Sequence, residues 1–185
     1  MIEDTLREAE TRMKKSIEAL QRELASLRTG RASTSLVEHI NADYYGTPTP
    51  LNQLGTISTP EARLITIQAW DREAVLSIGK AILKSDLGLN PSVDGTTVRI
   101  PVPPLTEDRR RDLTKVVRKR VEEDKIAIRN VRRDGIETLR SREKAKEISV
   151  DDLKKGQERL QKLTDAHVIQ ADQLGAQREA ALLDV

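Results

Sequence analysis

Apolar residues recur every three or four positions over residues 2–28, at Ile2, Leu6, Ala9, Met13, Ile17, Leu20, Leu24 and Leu27, with charge between them. One narrow apolar stripe on a polar helix is the pattern of a coiled-coil or bundle seam. The "RTGRAS" that follows predicts the helix end, with Gly30 as a C-terminal cap where positive φ costs little. A second stripe, Leu113, Val117, Val121, Ile128, Val131 and Leu139, predicts a helix from 107 to about 147, roughly 60 Å long. Thr106 is its expected N-cap, and Glu107 and Asp108 put negative charge at the positive helix end. A third helix opens at "ISVDDL", with Ser149 as N-cap, Asp152 as a short capping-box acid and Ile148 stapled to Leu153. Leu153, Leu160, Leu163, His167, Ala171 and Leu174 continue its seam.

Residues 31–104 have a different composition, holding all seven prolines, Trp70 and both tyrosines. "SLVEHINADYYG", "RLITIQAW" and "TTVRIPVP" read as strands, with Tyr44–Tyr45–Gly46 closing a strand into a turn. "DREAVLSIGKAILKSDLG" reads as one helix between Asp71 as N-cap and Gly88 as C-cap, and "NPSVDG" as a turn. Trp70 is expected to anchor the core of this segment. The chain is therefore expected to be α+β: a discontinuous three-helix bundle from 1–30 and 105–185, with a small β/α/β domain inserted at 31–104. Two strands cross the junction, at 29–31 and 103–106. Thr29, Gly30 and Arg31 in one arm and Pro104, Leu105 and Thr106 in the other are expected to form a hinge with restricted directions of motion.

Charge sharpens this outline. The whole chain carries 32 basic against 30 acidic side chains, but residues 107–147 alone carry fifteen basic and ten acidic. At about 100° per residue, Arg111, Lys115, Arg118, Lys125, Arg129, Arg132, Arg133 and Arg140 fall in one arc of about 100°, beside the apolar stripe. Glu122 and Ile136 interrupt it, and Arg132 lies nearest the apolar boundary. A charged run on a helix is most often a solvated face with i,i+4 pairs. Arg129 and Arg132, however, have no acid four positions before them. Arginine outnumbers lysine six to two in the arc, and its planar fork suits bidentate contact with phosphate. Such a stripe is the electrostatic footprint of nucleic-acid binding, and the scarcity of aromatics favours backbone contact over base stacking. A helical module whose arginines meet a protein partner's acids is the alternative.

The absence of cysteine excludes disulfides and thiolate chemistry, and His39 and His167 are each expected to pack rather than react. Glu122, Glu123 and Asp124 point about 100° apart and cannot converge as a catalytic pair. No P-loop, GxGxxG, HExxH or GxSxG occurs, so no enzyme and no cofactor is indicated. The opening "MIEDTLREAETRMKK" is neither a secretory signal nor a membrane anchor, and an intracellular protein is expected.

"RTGRAS" (28–33), "YYG" (44–46), "PTPLNQL" (48–54), "SDLGLNP" (85–91), "PPLTEDRR" (103–110), "IRNVRRD" (128–134) and "KLTD" (162–165) together resemble the ribosome recycling factor family, in order along the whole chain. The resemblance implies an L-shaped monomer in the cytoplasm that binds the large ribosomal subunit after termination. With elongation factor G and GTP, it would split the ribosome into subunits. It also implies Arg132 as the central ribosomal-RNA contact, flanked by Arg129 and Arg133, with Arg28 joining in role; Arg118, Lys125 and Arg140 extend the stripe. A helical RNA-binding or protein-interaction module outside the ribosome is the alternative. Two positions depart from the family pattern: Ala69 precedes Trp70 where proline is common, and Gly135 replaces a better helix former. Gly135 is expected to loosen the helix just past the arginines, since Gly costs about 1 kcal/mol relative to Ala there.

Overall fold

The computed structural model describes residues 2–183. In chain order the elements are α1 (Ile2–Ser26), β1 (Asn41–Tyr44), β2 (Thr47–Pro50), β3 (Gly55–Glu61), β4 (Leu64–Ala69), α2 (Arg72–Lys84), β5 (Ser92–Asp94), β6 (Thr97–Pro101), α3 (Glu107–Lys144) and α4 (Val150–Leu183). The chain forms two compact units, one ending at Arg28 and resuming at Glu107, the other spanning Thr29–Thr106.

In the first unit, α1, α3 and α4 pack side by side. The expected seams of α1 and α3 are buried from Leu6 to Leu24 and from Leu113 to Leu139. On α4 the seam differs from the expectation. Leu160, His167 and Ala171 are buried, but Leu153, Leu163 and Leu174 are only half-buried, and Gly156, Thr164, Gly175 and Leu182 fill the buried positions. The cause is close approach between α3 and α4. A Cβ added to Gly135 would come within 3.0 Å of Leu160, one on Gly156 within 2.6 Å of Leu139, and one on Gly175 within 2.7 Å of Val121. Each glycine is thus a notch for a large side chain of the opposite helix. The residue numbers in each pair add to the same total within one, as an antiparallel pair in constant register requires. α3 runs unbroken through Gly135, whose missing side chain makes room for Leu160.

Helix ends follow the same local chemistry. Ser149 and Asp152 cap α4 reciprocally: the Ser149 N–H donates to Asp152 Oδ2 at 3.2 Å and the Asp152 N–H to Ser149 Oγ at 3.0 Å. α1 ends at Ser26, and Gly30 is not its positive-φ cap, because Gly46, Gly88 and Gly95 are the described glycines with positive φ. Arg178 of α4 instead donates from Nη2 to the Leu27 carbonyl, satisfying an orphan acceptor just past the helix end.

Among the described residues of this bundle, one carboxyl group is buried. Asp124 of α3 is 8% exposed, accepts a hydrogen bond from Ser16 of α1 on Oδ1, and leaves Oδ2 without a partner. Burial pushes its carboxyl above the usual range, opposed by the Ser16 hydrogen bond. A carboxyl raised in this way binds its proton more tightly folded than unfolded. Its contribution to stability is fully present below the ordinary carboxylate range and is lost as pH rises through the folded value. Asp124→Asn should therefore gain stability relative to the parent as pH rises from about 4.5 to about 7.5. Urea midpoints at the two pH values measure this; a constant gap would contradict it.

The second unit holds the strands. β1 and β2 form a hairpin whose turn residues, Tyr45 (φ 50°) and Gly46 (φ 81°), both take positive φ, as a two-residue primed turn demands. The other four strands form an antiparallel sheet in the order β3-β4-β6-β5. The core includes Ala74, Val75, Ile78 and Ile82 of α2 with Ile65, Ile67, Val98 and Ile100 of the sheet. Asp71 caps α2 as expected, accepting from the Glu73 N–H at 3.1 Å. It also accepts from the Tyr44 hydroxyl at 2.8 Å, and the Glu73 and Tyr44 bonds together hold its carboxyl below the usual range.

Several expectations for this unit need correction. "SLVEHI" opens with a 3-10 turn at Thr34–Leu36, capped by Ser33, because the serine hydroxyl competes for backbone bonds. "NPSVDG" contains β5, paired to β6, rather than only a turn. Ser85, not Gly88, caps α2. Trp70 is 67% exposed, with its indole N–H on Thr56 Oγ1 at 3.2 Å, so the core is aliphatic and Trp70 lies outside it. His39 is exposed beside Glu38, whereas His167 is buried, its Nδ1 at 2.7 Å from the Leu163 carbonyl.

The two linking segments run together. Gly30 packs against Leu105, where an added Cβ would meet the Leu105 nitrogen at 3.5 Å. The Ala32 N–H donates to the Ala62 carbonyl at 2.7 Å and the Val102 N–H to the Arg63 carbonyl at 2.8 Å. Both arms are thereby tied to the turn between β3 and β4.

Candidate nucleic-acid interface

Periodicity on α3 divides the basic stripe into an edge beside α4 and an outer face. The edge carries Arg118, Lys125 and Arg132, seven residues apart. α4 carries Glu179, Asp172 and Asp165 at the same spacing in the opposite direction. Arg118 Nε meets Glu179 at 2.8 Å and Lys125 Nζ meets Asp172 at 3.1 Å. These are antiparallel heptad-edge ion pairs of the kind that flank a coiled-coil seam. Lys125 also lies 3.8 Å from Glu122, and its side chain is only 18% exposed.

Arg132 breaks the series. Its Nη1 donates to Gln161 Oε1 at 2.9 Å, and Gln161 Nε2 donates in turn to Asp165 Oδ1 at 2.8 Å. Arg132 makes no ion pair among the described residues, and neither do Arg133 and Arg140 on the outer face. Arg129 has Glu122 at 3.7 Å, too long for a strong charge-assisted bond. Arg129, Arg132, Arg133 and Arg140 are thus basic side chains of one helix face, all at least partly exposed. The flank facing α1 is neutralised: Arg12 meets Asp134 at 2.9 Å and Arg120 meets Glu23 at 3.6 Å.

Arg28 does not join this patch. Ser16 of α1 faces Asp124 of α3, and Arg28 and Arg132 lie in opposite directions from that level. At about 1.5 Å per residue the two are roughly 30 Å apart along the bundle. Gln161, Asp165, Asp172 and Glu179 were not among the residues expected from sequence. The seven-residue spacing of the three acids is visible in the sequence, but the partner helix and register are not.

No group of three or more His, Asp or Glu side chains among the described residues could hold a metal ion. No described helix is long and apolar enough to cross a membrane. This face carries exposed arginines, of which Arg132 is held by a neutral partner.

The sequence model of the ribosome recycling factor family matches residues 20–183. The chain belongs to that family. It is 58% identical over 185 residues to the ribosome-recycling factor of Thermomicrobium roseum, covering 100% of both chains. It is 56% identical over 184 residues to that of Nitratidesulfovibrio vulgaris, covering 100% of this chain and 99% of the relative. Among solved structures, a ribosome recycling factor determined in solution matches with a TM-score of 0.74 and 47% identity, over 100% of this chain and 98% of the other. A second match, at TM-score 0.63 and 43% identity over 99% of each chain, comes from models for the T. thermophilus ribosome recycling factor and E. coli elongation factor G bound to the E. coli post-termination complex. Ribosome recycling factors are translation factors and not enzymes.

Proposed function

We propose that this ribosome recycling factor binds the large ribosomal subunit after termination through ribosomal RNA. Together with elongation factor G, and with GTP hydrolysed by that partner, it separates the ribosome into subunits for reuse. The carrying observation is the patch of Arg129, Arg132, Arg133 and Arg140 on a chain of this family, because forks without strong internal partners are free to take phosphate. Arg132 is its centre. Arg118 and Lys125 extend it at the cost of their acids on α4, and Arg28 makes a separate contact farther along the bundle. The factor acts as a monomer in the cytoplasm. Thr29–Arg31 and Pro104–Thr106 are the two arms of a hinge between the bundle, 1–30 and 105–185, and the inserted domain, 31–104.

A subunit-splitting assay with post-termination ribosomes, elongation factor G and GTP tests both parts. The protein should convert ribosomes to subunits well beyond elongation factor G alone; no gain would overturn the reading. A Gly30→Cys, Leu105→Cys variant joins the two arms by a disulfide in a chain that otherwise has no cysteine. Splitting should fall when it is oxidised and return on reduction, whereas indifference to the cross-link would mean that splitting needs no relative movement of the two arms at this level.

A further inference from the structure

The interrupted ladder between α3 and α4 assigns a role to a residue outside the basic stripe. We propose that Gln161 is a positioning residue that keeps Arg132 available to an anionic ligand by standing between Arg132 and Asp165. This rests on the reading that Arg132 contacts ribosomal RNA.

The two neighbouring rungs show what happens without such a residue: Arg118 and Lys125 each lie within 3.1 Å of the acid that the heptad register offers. At the third rung the register offers Asp165 to Arg132, and the side-chain lengths are sufficient for a third ion pair. Gln161 lies one helical turn before Asp165 on the same face of α4, and its amide occupies both groups. Its Nε2 donates to Asp165 Oδ1 at 2.8 Å, and its Oε1 accepts from Arg132 Nη1 at 2.9 Å.

The chemistry of an amide suits this position. A glutamine presents a donor and an acceptor at once, so it can bridge a carboxylate and a guanidinium while carrying no charge itself. The guanidinium is held at one of its five N–H groups, which restricts its rotamers, and the others remain for a phosphate. A carboxylate in the same place would hold the fork and also neutralise it. Of the three edge residues, Arg132 is the one oriented by a neutral partner. That is the combination a preorganised anion contact requires, because little ordering remains to be done when the ligand arrives.

Equilibrium binding to purified large subunits tests this, with Arg132→Ala measured alongside. Gln161→Ala should weaken binding about three- to fivefold, because Arg132 then closes the third rung with Asp165, a partner a ligand must displace. Gln161→Glu should weaken binding by a similar factor, since its carboxylate pairs Arg132 directly, while its repulsion from Asp165 leaves the urea midpoint at or below the parent's. Adding Asp165→Ala to Gln161→Ala should restore binding to within about twofold of the parent. A merely structural role for Gln161 would not be rescued by a second truncation. If Arg132→Ala weakens binding but both Gln161 variants bind like the parent, or if the double variant is not rescued, the role of Gln161 is refuted. If Arg132→Ala itself binds like the parent, the ribosomal-RNA reading fails first.

Discussion

Arg132→Ala should lower affinity for the large ribosomal subunit by about ten- to a hundredfold, the effect of losing one charge-assisted contact of about 1.5–3 kcal/mol. Arg132 is the site for this effect because the loss is not cushioned. At Arg118 or Lys125 an Ala substitution also frees Glu179 or Asp172, and the binding lost is reduced by the internal pair no longer broken. Truncating either of those should cost several-fold less than truncating Arg132. The slope of log affinity against log salt should become shallower by about 0.7–0.9 if one phosphate contact is lost. Circular dichroism should be unchanged, since the Arg132 side chain lies at the edge of the bundle and not in its core. Equal affinity of Arg132→Ala and the parent at low and high salt would remove Arg132 from the interface.

Gly156→Leu should destabilise the bundle by about 2–3 kcal/mol. Overpacking a filled core costs about 1–3 kcal/mol and occasionally more, and the better helix propensity of Leu returns somewhat under 1 kcal/mol. The position is severe because the new side chain would meet Leu139 of α3, fully buried with nowhere to turn, and Ile2 of α1, whose Cγ2 is 3.6 Å from the added Cβ. Gly135→Ala is the contrast. Its Cβ would lie 3.0 Å and 3.2 Å from the two methyl groups of Leu160, a squeeze that a small shift relieves, so propensity roughly cancels strain. The urea midpoint should fall by about 1–2 M for Gly156→Leu and barely move for Gly135→Ala. A Gly156→Leu protein as stable as the parent would mean that α3 and α4 do not approach as closely as described.

The bundle seams of α1 and α3 were legible because each is a long run of one period, and the cap of α4 because Ser149 and Asp152 stand at capping-box spacing. The inserted domain was harder. β3 is missing from the expected strands: Gly55, Ser58 and Pro60 interrupt its β-branched residues, and it lies at the sheet edge, where polarity and proline are tolerated. Trp70 misled because large aromatics are buried on average, while here aliphatic side chains already fill the layer between α2 and the sheet. Gly135, Gly156 and Gly175 looked like weak points or went unnoticed, since a notch is defined only by what enters it from another helix. The candidate site followed the same division. The stripe could be read from one helix, but which of its members are neutralised depended on α4, its direction and its register.

The three glycine notches also say something about mechanics. Along α3 their positions fall at 121, 135 and 139, so the teeth are unevenly spaced. A key cut this way fits its lock in one alignment. Sliding α4 along α3 would take Leu139 and Val121 out of the notches at Gly156 and Gly175, and Leu160 out of the one at Gly135. The expected mechanical consequence is that α3 and α4 resist shear against each other and answer a load along the bundle as one body.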